Sequence, residues 1–182
     1  MPPAFPVLCS LSNARCASLA LLMFLSGAQK GWAGPLDFSS DDTVTITAER
    51  AWEGEEPDVI HFSGNFELYA PDWSMSGDTA VVYGTLDDPD RVIVEGNPAT
   101  VSFLRESEDG TGDGESGERV DGEASVVEYF RSTDQLIMRG SSRLVREDSN
   151  LTSEIIEYDV ETDRYSAGGE GGINIEYIPD DD

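Results

Sequence analysis

Across residues 43–177 apolar side chains recur at every second position, and no stretch in that span sustains a helical period. A two-residue period sends successive side chains to opposite faces of a strand. A chain patterned in this way can bury its apolar residues only by laying strands side by side and covering the shared apolar face. Thr43-Val44-Thr45-Ile46-Thr47 alternates, and so does the stretch 60–68. Trp73, Met75, Val81 and Tyr83 share one parity, Val92 and Val94 another, Val101 and Phe103 a third. Val127 with Tyr129, Leu136 with Met138, Ile156 with Tyr158, and Ile173 with Ile175 and Tyr177 continue the pattern. Clusters of turn residues separate these runs: Ala70-Pro71-Asp72, Leu86-Asp87-Asp88-Pro89-Asp90, Ser132-Thr133-Asp134, Glu147-Asp148-Ser149-Asn150 and Glu161-Thr162-Asp163. Short strands with frequent turns predict an all-β, antiparallel domain.

The hairpins repeat. TAVVY at 79–83, SVVEY at 125–129 and EIIEY at 154–158 each close a unit on a tyrosine. Gly64, Gly96 and Gly140 lie in the strands that open those units. In HFSGNFELY at 61–69, Gly64 takes an apolar-parity slot between Phe62 and Phe66. A glycine there either admits a bulge where the strand bends or leaves room for a guest near the backbone. One hairpin is too small to be stable alone, so the units must bury a common face.

The N-terminal segment is of another kind. Residues 1–34 contain no Asp or Glu; Arg15 precedes the apolar run 17–25, and small residues follow at Ser26-Gly27-Ala28 and Ala33-Gly34. This order reads as a secretory signal peptide over 1–34, with cleavage after Ala28, Ala33 or Gly34 and export to the periplasm or beyond; the alternative is an uncleaved anchor, against which the run of about ten residues falls short of the ~20 that a membrane-spanning helix needs. Both cysteines, Cys9 and Cys16, fall inside it, so the remaining chain has no thiol chemistry. All 37 acidic residues lie from Asp37 onward, against nine arginines and no lysine, for a formal charge of 9 − 37 = −28. Such a surface repels nucleic acid and excludes it as a partner. The stretch 106–119 is an insertion rich in Gly, Ser and acids, expected to form a loop. Set on an EF-hand frame, Asp109 and Asp113-Gly114 place Val120 where the bidentate glutamate belongs, which argues against calcium. The acidic tail 180–182 ends the chain.

Catalytic constellations are missing. His61 is the one histidine and sits on the polar parity of its strand. No Ser-His-Asp set, HExxH or phosphate loop can be assembled. The reading is therefore a non-enzyme without cofactor or metal, and a carbohydrate-active enzyme relying on paired carboxylates is the weaker alternative.

Ile46-Thr47-Ala48-Glu49-Arg50-Ala51, Phe62-Ser63-Gly64-Asn65-Phe66-Glu67-Leu68, Ser76-Gly77-Asp78-Thr79-Ala80-Val81-Val82-Tyr83, Val94-Glu95-Gly96-Asn97-Pro98-Ala99, Gly122-Glu123-Ala124 and Leu136-Ile137-Met138-Arg139-Gly140 follow one another in order. Together they resemble the OstA-like family of lipopolysaccharide-transport proteins over residues 43–177. The resemblance implies an antiparallel β-jellyroll over 35–179, built from repeated hairpins around an apolar interior groove. It further implies a periplasmic carrier that shields lipid A acyl chains between the inner and outer membranes. The implied partners are lipopolysaccharide, the inner-membrane and outer-membrane bridge components met through edge strands at 43–48 and 172–177, and further copies of the chain end to end. A structural module that joins other jellyrolls is the alternative. The chain departs from the family in its charge and its acidic insertion.

Parity supplies the candidate groove residues: Ile60, Phe62, Phe66, Leu68, Met75, Val81, Tyr83, Val94, Val101, Phe103, Val127, Leu136, Met138, Leu144, Ile156 and Tyr158. Trp73 accompanies them, and about half of the set is expected to be ordinary core.

Overall fold

A computed structural model describes residues 43–86, 88–105 and 117–177. The expected signal peptide and the acidic tail lie outside the described residues, as do positions 106–116 of the expected insertion. Its last two positions are not loop, because β6 begins at Glu118.

Ten strands among the described residues form one antiparallel sheet in the order β1-β3-β4-β5-β6-β7-β8-β10, with β2 also on β3 and β9 also on β8. They are β1 (Thr45–Thr47), β2 (Arg50–Glu53), β3 (Val59–Ala70), β4 (Trp73–Thr85), β5 (Asp88–Arg105), β6 (Glu118–Phe130), β7 (Gln135–Val145), β8 (Ser149–Asp159), β9 (Arg164–Gly168) and β10 (Asn174–Tyr177). The helical content of the described residues is a three-residue 3-10 turn at Arg131–Thr133.

Each long strand is broken at its middle. Register shifts between neighbours fall at Ser63/Phe66, Ser76/Thr79, Glu95/Ala99, Glu123/Val126 and Arg139/Ser142. Together they draw a seam across the sheet. In β3 and β7 the seam consists of two consecutive left-handed residues, Gly64 (φ 80) with Asn65 (φ 48) and Gly140 (φ 83) with Ser141 (φ 53). Such pairs bend a strand sharply. Asn65 is held there by its Nδ2–H, which donates to Glu49 Oε1 at 3.2 Å. A Cβ on Gly64 would sit 2.6 Å from the Glu49 carboxyl, and one on Gly140 would sit 2.7 Å from Ser125 Oγ. Gly96 is crowded by the Pro98 backbone at 2.7 Å. The glycines serve the bend and leave no room for a guest, which settles the alternative left open by the sequence.

The seam divides the sheet into two leaves. The β1 leaf contains β1, segments 66–70, 73–76, 99–105, 118–124, 142–145 and 149–153, and β10. The β2 leaf contains β2, segments 59–63, 79–85, 88–95, 126–130, 135–139 and 155–159, and β9. The leaves face each other. Phe103 and Tyr158 belong to strands that are not neighbours, yet their ring centroids are 6.0 Å apart. A Cβ on Gly122 in the β1 leaf would lie 2.7 Å from Met138 Sδ in the β2 leaf. Between the leaves lies one apolar core, and its burial is the main force that holds the sandwich closed.

Candidate functional site

The interior is the candidate site. The β1 leaf contributes Phe66, Leu68, Met75, Val101, Phe103 and Leu144, all buried; the β2 leaf contributes Phe62, Val94, Val127, Leu136, Met138, Ile156 and Tyr158. Ile60 is half-buried against them. Parity alone therefore brings these expected groove residues to one interior.

Val81 and Tyr83 do not belong there. Phe62 pairs with Ala80 and Ile60 with Val82, so Ala80 and Val82 are the inward residues of that half of β4. The cause is the seam. Met75 faces inward, the register slips between Ser76 and Thr79, and the inward parity of β4 changes from odd to even. Tyr83 instead lies in an outer-face cluster. The Arg91 guanidinium carbon is 5.2 Å from the Tyr83 ring centroid and 5.1 Å from that of Phe130. Arg91 also pairs with buried Glu128, whose other oxygen accepts from Arg139 Nη1 at 2.7 Å. Val92 and Ala99 share the inward parity of Val94 and Val101 on either side of the slip in β5, and comparable parity changes in β6 and β8 bring in Val120, Ala124 and Leu151; the candidate groove set omitted all five.

Tyr129 and Tyr158 face inward and end on the same contact. Each hydroxyl donates to an aspartate five residues on, Tyr129 to Asp134 Oδ1 at 2.5 Å and Tyr158 to Asp163 Oδ1 at 2.7 Å. Both aspartates occupy left-handed turn positions, which Asp tolerates better than most residues. Burial raises the Tyr158 pKa above its ordinary 10.0, and the hydrogen bond to Asp163 adds to the shift. The hydroxyl remains a donor.

Among the described residues the interior is closely packed. A void of about 10 Å³ lies among Trp73, Met75, Val101, Phe103, Tyr129, Leu136 and Val160. That is the room of about one water molecule. In this closed arrangement the expected groove is a packed core, and a fatty chain would need the leaves to part.

The edges differ. At one side, Val44, Ile46 and Ala48 pack on the core. At the other, among the described residues, β10 pairs only with β8 and β9 only with β8. The partners of Ile175 and Tyr165 are the buried Leu151 and Tyr158, so both side chains point to the inner face. Even so, Tyr165, Ile173, Ile175 and Tyr177 are 44%, 54%, 54% and 64% exposed. The expected edges at 43–48 and 172–177 are the two ends of the strand order.

His61 stacks on Trp52, ring centroids 5.3 Å apart and planes 8° apart. No group of described His, Cys, Asp and Glu side chains could hold a metal ion.

Residues 45–164 match the family model described as LptA/(LptD N-terminal domain) LPS transport protein. Among solved structures, the chain is similar to a crystal structure of LptH, the LptA homologous periplasmic component of the conserved lipopolysaccharide transport device from Pseudomonas aeruginosa. The TM-score is 0.63 at 15% identity, covering 75% of this chain and 96% of that one. No curated protein sequence matches.

Proposed function

The chain belongs to the LptA/LptD N-terminal domain family of lipopolysaccharide-transport proteins, and from that premise we propose that it is a periplasmic carrier that shelters lipid A acyl chains between its two leaves, without catalysis. One observation carries the reading: an apolar inner face that continues past the closed core onto exposed lips, Tyr165 on one leaf and Ile173, Ile175 and Tyr177 on the other. Each methylene moved from water onto such a surface gains about 0.8 kcal/mol. A few acyl chains can therefore offset the burial that the leaves give up when they part. Because that burial is itself apolar, the exchange is close to like for like. Among the described residues the lips also leave strand edges unpaired, through which inner- and outer-membrane bridge components or a further copy would add strand to strand.

The filled interior favours a second reading, in which the chain joins partner jellyrolls through its edges and holds little lipid. Binding of a fluorescent lipid A analogue to the purified protein separates the two. The carrier reading expects saturable binding, displaced by unlabelled lipopolysaccharide and weakened by Ile175→Asp with folding intact. Edge-mediated association without displaceable lipid binding would support the joining module and contradict the carrier.

A further inference from the structure

Opposite the seam, the free margin of the sandwich is crossed by a ring of four charges. Arg105 ends β5, Glu118 begins β6 and Arg146 follows β7, so all three stand at the margin of the β1 leaf. Asp163 lies in the turn between β8 and β9, at the margin of the β2 leaf. Arg105 Nη2 meets Glu118 Oε2 at 2.5 Å, and Arg105 Nη1 meets Asp163 Oδ2 at 3.0 Å. Arg146 meets Glu118 Oε1 at 3.5 Å and Asp163 Oδ1 at 3.2 Å. Each carboxylate thus bridges both guanidiniums, and the ring is neutral as a whole. All four side chains are part-buried. Tyr158 donates to Asp163 from inside, and the small void with Trp73, Phe103 and Val160 among its lining lies at the same margin.

We propose that Arg105, Glu118, Arg146 and Asp163 form an ionic latch between the leaves, whose opening sets the rate at which acyl chains reach the interior. The inference rests on the carrier reading for its guest, while the latch itself rests on the geometry. An entering fatty chain can replace the apolar packing between the leaves with its own. It offers nothing to replace charge-assisted hydrogen bonds between Asp163 and two arginines. Those bonds must therefore break before the margin opens. A part-buried network also yields to salt more than an apolar contact does.

The test is Asp163→Asn, which keeps the size of the side chain and an acceptor for the Tyr158 hydroxyl but removes the charge facing both arginines. Rapid mixing with a fluorescent lipid A analogue reads the entry rate. Hydrogen bonds to charged groups are the stronger ones, so the variant should admit the probe roughly tenfold faster or more. Added salt should speed the wild type and leave the variant little changed. Glu157→Gln, which alters net charge equally at an exposed site, should match the wild type. Equal rates for Asp163→Asn and wild type, or equal acceleration by Glu157→Gln, would overturn the latch. If neither protein takes up the lipid analogue, the carrier reading fails on its own, and amide hydrogen exchange judges the latch. Residues 164–168 should then exchange severalfold faster in Asp163→Asn, with β1 unchanged, whereas unchanged exchange at 164–168 would refute it.

Discussion

The two edges of the sandwich occupy equivalent places in the strand order and are built differently. At the β1 edge, Val44, Ile46 and Ala48 are tucked against the core. At the β10 edge, Ile173, Ile175 and Tyr177 carry the same inward parity yet stand more than half exposed. The first edge is finished by its own chain. Among the described residues the second has the pattern of a buried face without the burial, which is what a face that takes a further cover looks like. Folding stability should therefore be concentrated away from the β9–β10 side, and ligand or partner binding should depend on it.

Substitution can break that contrast, and the largest effect belongs to the shared core. Phe66→Asp places an unpaired charge in the packed interior and should leave no cooperative thermal transition. A variant that still melts like the wild type would mean the interior is looser than its packing indicates. Gly140→Val forces a branched residue into a left-handed position at the seam and should lower stability by about 1–3 kcal/mol, read by urea unfolding. At the finished edge, Ile46→Ser should lose ~1 kcal/mol by the same measurement. At the open edge, Ile175→Ser should change stability by less than about 0.5 kcal/mol, as for an exposed site. Equal losses at Ile46 and Ile175 would erase the distinction between the edges. At neutral pH Tyr158→Phe should lose ~1 kcal/mol, about as much as Ile46→Ser, with its hydrogen bond to Asp163. The raised pKa has its own signature. A folded-state value above the unfolded one contributes stability that is complete below 10.0 and fades as pH rises toward the folded value. Unfolding curves above that pH should slope less steeply for the phenylalanine variant.

How far the sequence alone could reach is clearest within β4. Alternation identified the strand and its inward residues Trp73 and Met75, because local side-chain parity is a property of the backbone itself. It misplaced Val81 and Tyr83, because Ser76-Gly77-Asp78-Thr79 contains the register slip and parity cannot be carried across one. Matching the three tyrosines reinforced the error: Val82, not Tyr83, occupies the inward position that corresponds to Tyr129 and Tyr158, as its pairing with Val92 and that of Val92 with Tyr129 require. The glycines themselves were the available warning. Their recurrence at strand centres marked a bend, and a bend is where parity is lost. The charge ring was illegible for another reason. Arg105, Glu118, Arg146 and Asp163 are scattered along the chain and meet only because the leaves close. In a chain this rich in acids, no pattern singles out Glu118 and Asp163.

The central claim, an apolar inner face that receives fatty chains at the β9–β10 side, is tested most directly by photocrosslinking. A benzophenone amino acid of tyrosine-like shape replaces Tyr177 on the inner lip in one protein and Tyr83 on the outer face in another, each illuminated with lipopolysaccharide. The account predicts an adduct from position 177 and none from position 83. Adducts of equal yield from both, or from position 83 alone, would contradict it.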